Sequence, residues 1–182
     1  MKNIKKLLLY AFTFVGMFSL MAVSCEDLSE DITVDVPTDV SKTFRVSSTE
    51  TGAFEIVEQV DLASDEIAER REQMKDFTIE SFDFAVVDNL EEGSGIPTDL
   101  ELLFDAGDTK VVTGSGFLSG STFEEQLNSL SPEYVTELKQ AVEIYVLDDG
   151  TLLEITLEGY ADAPMDYTVT FTMKGTIEAG VQ

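Results

Sequence analysis

The chain of 182 residues carries 36 Asp and Glu against 11 Lys and Arg, a formal charge of −25. So large a surplus repels nucleic acid and anionic lipid, and with no basic patch to offset it a nucleic-acid-binding role is excluded. There is no His, no Trp and one Cys, which removes Ser-His-Asp and Cys-His catalysis, imidazole-held zinc, His-ligated haem and internal disulfides. Length and a 43% apolar fraction suit one domain with a buried core rather than a disordered chain.

The N-terminal stretch has the layout of a secretory leader. Lys2, Lys5 and Lys6 form a basic start, Leu7–Val23 is apolar, and Ser24 precedes Cys25. The apolar run is also about as long as the shortest membrane spans, so a retained anchor is the alternative. A small residue directly before the only cysteine favours cleavage. The segment Ala22-Val23-Ser24-Cys25 resembles the bacterial lipobox, with Ala22 where leucine is usual. That resemblance implies that the Cys25 thiol receives diacylglycerol and becomes the new N-terminus. A free thiol or an intermolecular disulfide are the other fates open to Cys25. Residues 1–24 then form the signal peptide, and removing their three lysines leaves eight basic residues against 36 acids, a charge of −28. Residues 25–31 form an acidic tether, and Glu26-Asp27-Leu28-Ser29-Glu30-Asp31 resembles the export tag that sends Bacteroidota lipoproteins to the outer face of the outer membrane.

Residues 32–182 read as one domain. Ile32–Val36 alternates as a strand that Pro37 ends or confines to an edge. Thr43–Ser47 and Ala53–Val60 are further strands, the latter burying Phe54, Ile56 and Val57. Ser64-Asp65-Glu66 starts a short helix with a capping hydroxyl and early acids, ending near Lys75-Asp76. Arg70-Arg71 is assigned to internal ion pairing rather than to an anion site. Phe77–Val87 is a strong strand whose alternation slips around Glu80-Ser81, the mark of a bulge. Asp88–Gly95 is an acidic, glycine-bearing loop. Leu100–Phe104 and Lys110–Thr113 form a hairpin around Asp105–Asp108. Gly114–Gly120 reads as an irregular segment. Thr122–Glu125 fits a capping box, and Ser131-Pro132-Glu133 starts a second helix. These two short helices are expected to cover one open end of the sheets.

Val142–Leu147, Asp148-Asp149-Gly150 and Leu152–Leu157 read as a β-hairpin by turn chemistry. A turn over Gly159–Pro164 leads to the clearest signal in the chain. From Tyr167 to Val181 every second residue is apolar or small, with Thr, Lys, Glu and Gly between, a period that no helix can use. About eight strands with few helices indicate a mainly β fold: an antiparallel β-sandwich, immunoglobulin-like or jelly-roll-like, with two or three short helices. A curled β-barrel is the alternative.

Over Lys75–Val87 and again over Gly159–Thr172, the chain resembles a group of short Bacteroidota outer-membrane surface lipoproteins of unknown function. The residues that carry the likeness are the lipobox cysteine, the acidic tether, the strand Phe77-Thr78-Ile79-Glu80-Ser81-Phe82-Asp83-Phe84, and Gly159, Pro164 and Asp166–Val169. The resemblance implies surface location and a sandwich-like fold, and it carries over no catalytic residue.

Carboxylates are the one plentiful reactive group. A glycosidase needs two at a set separation, one with a raised pKa, but among 36 acids such a pair arises by chance, so no catalytic residue is assigned. Gly93-Ser94-Gly95 and Gly114-Ser115-Gly116 do not form a nucleophile elbow. Calcium is the cofactor left open, through the turn pairs Asp105 with Asp108, Asp148 with Asp149 and Asp162 with Asp166, none with the spacing of a helix-loop-helix calcium loop. Tyr160, placed in the Gly159–Pro164 turn, is the candidate for contact with a glycan or protein. The expected function is thus a non-catalytic, surface-exposed lipoprotein that binds a glycan, an envelope protein or calcium. The alternative is a structural part of an envelope, secretion or uptake assembly, and a carboxylate-dependent hydrolase is a distant third.

Overall fold

A computed structural model describes residues 33–107, 109–113 and 118–181. The leader, Cys25, the tether, Ile32 and Asp108 lie outside the described residues. Within them are seven strands: β1 (Thr33–Ser48), β2 (Gly52–Asp61), β3 (Met74–Asp88), β4 (Thr98–Ala106), β5 (Thr109–Thr113), β6 (Leu152–Ala161) and β7 (Met165–Gly180). The helices are α1 (Asp65–Arg70), α2 (Phe123–Leu127) and α3 (Pro132–Leu147), with a 3-10 turn at Arg71–Gln73.

Two antiparallel sheets pack face to face, ordered β1-β7-β3 and β2-β6-β4-β5. They do not close into a barrel. The long C-terminal alternation is the middle strand of the first sheet, paired on both sides. Its inward residues Tyr167, Val169, Phe171, Met173, Ile177 and Ala179 are buried. Phe171 sits at the centre. Its ring lies 5.3 Å from Phe84 and 5.9 Å from Phe82 of the neighbouring strand, and 6.1 Å from Phe104 of the opposite sheet. Aromatic pairs at such separations add to the burial that drives the sheets together.

The bulge expected around Glu80-Ser81 is present, as a register shift between Ile79 and Ser81 against β7. Opposite it stands Gly175, where a Cβ would come within 2.8 Å of the Thr78 carbonyl oxygen. Glycine here lets the bulged backbone approach.

Pro37 lies in an edge strand, the second of the two outcomes expected of it, and β1 runs unbroken through it for 16 residues, which an edge permits because Pro lacks only an N–H. Two expectations are corrected. Val142–Leu147 is not a strand. It is the second half of α3, with Leu138, Ala141, Val142 and Val146 buried along one face. Asp148-Asp149-Gly150 therefore ends a helix instead of turning a hairpin. Asp149 takes φ 66°, the Asp149 N–H donates to the Val146 carbonyl at 3.2 Å, and the Gly150 N–H donates to the Tyr145 carbonyl at 2.7 Å, the double closure of a Schellman motif. Finally, Gly159 and Tyr160 belong to β6, and the β6–β7 turn is confined to residues 162–164.

Helix α3, rather than covering an end of the sheets, lies along the side between β3 and β5. On that side β3 is an edge, and side chains from α2, α3 and their junction engage its outward backbone groups. Glu124 Oε2 accepts the Val86 N–H at 3.1 Å. Asn128 treats Phe84 as a neighbouring strand would: Oδ1 accepts its N–H at 2.9 Å and Nδ2 donates to its carbonyl at 2.7 Å. Lys139 Nζ donates to the Glu80 carbonyl, and Glu143 Oε1 accepts the Ile79 N–H at 2.7 Å. The engaged residues change from even to odd numbering across the bulge, as an extra residue requires. On the other side of the sandwich, Lys42 of β1 pairs with Glu58 of β2 at 3.5 Å.

The second sheet carries a row of three carboxylates. Glu158 stands opposite Glu55 on one side and Glu101 on the other, and like charges so placed repel.

Two outcomes follow for urea unfolding at neutral pH. Asn128→Ala should lower stability by about 1–2 kcal/mol, since two hydrogen bonds to the β3 edge are lost, and Asn128→Asp should not restore it, because a carboxylate accepts the Phe84 N–H but repels the Phe84 carbonyl oxygen that Nδ2 serves. Glu158→Gln should raise stability by a few tenths of a kcal/mol, up to about 1. A neutral Asn128→Ala would remove the case for side-chain closure of the edge.

Candidate functional site: a clasped loop and its groove

β1 begins opposite Gly180 and ends opposite Met165, so the sheet spans about 50 Å from Thr33 to the β6–β7 turn at ~3.3 Å per residue. Polar construction gathers at the end far from Thr33. The loop of residues 89–97 folds around the Asp88 carboxylate, which accepts the Leu90 N–H at 3.0 Å, the Ser94 N–H at 2.7 Å and the Ser94 hydroxyl at 2.6 Å. The loop is then clasped to β7. The Asp166 N–H donates to Ser94 Oγ at 2.9 Å, the Asn89 N–H to the Asp166 carbonyl at 2.8 Å, and the Gly95 N–H to the Pro164 carbonyl at 2.9 Å. Tyr167 Oη donates to the Gly95 carbonyl at 3.2 Å.

Arg45 closes the clasp from β1. Its guanidinium grips Asp166 through two hydrogen bonds, at 2.7 and 2.5 Å, and Asn89 Nδ2 adds a third at 3.2 Å. These donors, Arg45 foremost, hold the Asp166 carboxyl down at about 2. The Ser94 hydroxyl and N–H lower Asp88 in the same way, and Ser121 lowers Glu125. Burial pushes the Tyr167 phenol up.

Beside the clasp opens a groove of about 510 Å³, a size that suits a small ligand or a few residues of a peptide. Phe123 and Tyr167 form its floor, with ring centroids 4.8 Å apart, and Val86 and Ile96 line it as well. Asp88, Glu124 and Glu125 stand among the lining residues. Thr122 caps α2 by accepting the Glu125 N–H at 3.1 Å, and Glu125 Oε2 accepts the Ser121 N–H and hydroxyl at 2.7 and 2.6 Å. The expected capping box thus reaches one residue further back than the pattern suggests.

The residues singled out from sequence are scattered. Tyr160 is 39% exposed on β6, outside the groove. Asp105 pairs with Lys110 at 3.0 Å and Asp149 with Arg71 at 3.2 Å, so Arg71 has the internal partner expected of it. Asp148 caps the C-terminus of α3. Asp162 lies in the β6–β7 turn, where its carbonyl accepts the Thr51 hydroxyl at 3.3 Å. Asp166 is gripped by Arg45. Among the described residues no three acidic, Cys or His side chains gather to hold a metal ion, and no helix is long and apolar enough to cross a membrane. Arg45, Asp88, Asn89 and Ser94 were not anticipated. The one local signal was an aspartate six residues before a serine in a glycine-bearing loop.

No family model matches the chain, and no curated protein or solved structure is significantly similar to it.

A carboxyl whose folded-state pKa is depressed stabilises the fold above its ordinary value and loses that contribution as pH falls towards the folded value. Asp166 moves from 3.8 to about 2. Wild type should therefore lose stability between about pH 4 and pH 2 more steeply than Arg45→Met, in which the grip is gone. Urea midpoints at pH 6, 4 and 2.5 measure this, and parallel acid limbs would mean that the clasp contributes nothing.

Proposed function

We propose that the protein is a non-catalytic lipoprotein of the outer membrane, held by lipid on Cys25, facing the cell exterior and binding a ligand in the groove at the far end of the sandwich. One observation carries this reading. The groove and its clasp lie at the end of β1 opposite Thr33, the end turned away from an N-terminal anchor. A tether at Cys25 then presents the groove outward, about 50 Å from where the first strand begins. Two acyl chains give the stable attachment that one does not.

The chemistry of the groove fits binding better than turnover. Asp88 and Glu125 are both lowered by the hydrogen bonds they accept, the reverse of what a general acid requires. The chain has no His to serve as base to the hydroxyls present. Of the ligand classes considered, a glycan or an envelope protein suits the groove better than calcium suits its candidates. Asp105, Asp149 and Asp166 each have a cationic partner that calcium would have to displace.

The full chain expressed in a lipoprotein-processing host tests the reading. An alkyne-palmitate label should appear on wild type and vanish in Cys25→Ala, and proteinase K should degrade the protein on intact cells. An unlabelled wild type, or a protein protected until cells are broken, would refute it.

A further inference from the structure

Three features of the groove are independent of one another. Its lining holds three carboxylates, Asp88, Glu124 and Glu125, and no Lys or Arg. Each carboxylate keeps acceptor capacity beyond its bonds within the protein, since an ionised carboxyl offers about four lone-pair sites. Glu124 spends Oε2 on the Val86 N–H and Glu125 spends Oε2 on Ser121. Beneath them the floor is apolar and aromatic, with Ile96 42% exposed. An anion is repelled here, and a compact cation leaves the apolar side chains of the floor uncovered. A long side chain with an apolar stem and a cationic head uses both, its stem on Val86, Ile96 and the Phe123 ring and its head among the carboxylates.

We propose that the groove receives a lysine- or arginine-bearing segment of a partner protein. This rests on the binding role proposed above and names the partner's chemistry. Charge alone does not single out the groove, because the Glu55–Glu158–Glu101 row is as acidic. The combination of stem-sized apolar floor and carboxylate rim does, and it distinguishes specific docking from the general attraction of a chain of charge −25 for any polycation. Buried stem contact also makes the association less sensitive to salt than a purely surface attraction.

The test uses the full processed lipoprotein in neutral detergent and the fluorescein-labelled peptide Gly-Lys-Lys-Gly, followed by anisotropy at 150 mM salt. Because this readout needs no cell surface, its failure is distinguishable from failure of the palmitate and protease experiments. Glu124→Gln, whose amide oxygen still accepts the Val86 N–H, should weaken binding about five-fold or more, as loss of a close charge partner does. Glu158→Gln should leave affinity within about two-fold. Ile96→Lys, at an exposed position, should abolish binding by occupying the groove with its own ammonium, with thermal unfolding unchanged. The Nε-acetylated peptide should not bind. Equal weakening by Glu124→Gln and Glu158→Gln, undiminished binding to Ile96→Lys, or equal affinity for the acetylated peptide would each overturn the proposal.

Discussion

The free edge of β3 is the constraint around which the rest of this molecule is arranged. A strand at the rim of a sheet presents N–H and carbonyl groups that water or another chain will take. Here Glu124, Asn128, Lys139 and Glu143 take them instead. Four side chains spaced along α2, α3 and their junction do the work of a further strand, and in doing so they fix both helices against the sandwich. α3 can then fill the gap between β3 and β5 with Leu138, Ala141, Val142 and Val146. On the opposite side of the sandwich β1 packs beside β2, where Lys42 pairs with Glu58.

The groove is a by-product of the same closure. Glu124 both satisfies the Val86 N–H and stands in the groove lining, and Phe123 beside it supplies the floor against Tyr167. The opposite wall comes from the loop after β3, which is ordered by Asp88 and locked to β7 through Ser94, Asn89 and the Arg45–Asp166 pair. The two walls are set by separate hydrogen-bond networks that meet at the end of one strand. Walls held by bonds within the protein are preorganised, and preorganisation lowers the ordering cost of any association.

Much of the fold was legible because some residues admit one local solution. The alternation of β7 cannot be helical, Ser64, Thr122 and Ser131 cap the helices they were expected to cap, and the slipped phase near Glu80 is a real bulge. The misreading of Val142–Leu147 has a definite cause. Val142, Ile144 and Val146 alternate as a strand would, while Leu138, Val142 and Val146 recur as a helix would, and Asp-Asp-Gly serves a hairpin turn or a helix terminus equally well. The need to cover the β3 edge decided between them, and no window of sequence contains it. The clasp was illegible for a similar reason: Arg45, the Asp88–Ser94 loop and Asp166 come from three separated segments. Among the described residues, the turn aspartates paired by proximity in sequence also serve in a helix cap, a turn and ion pairs.

Amide hydrogen exchange, resolved by residue, tests the closure of the edge most directly. If side chains replace a neighbouring strand, the N–H groups of Ile79, Phe84 and Val86 will exchange nearly as slowly as those in the middle of β7, such as Phe171. Exchange at those three positions as fast as in an open loop would contradict the account.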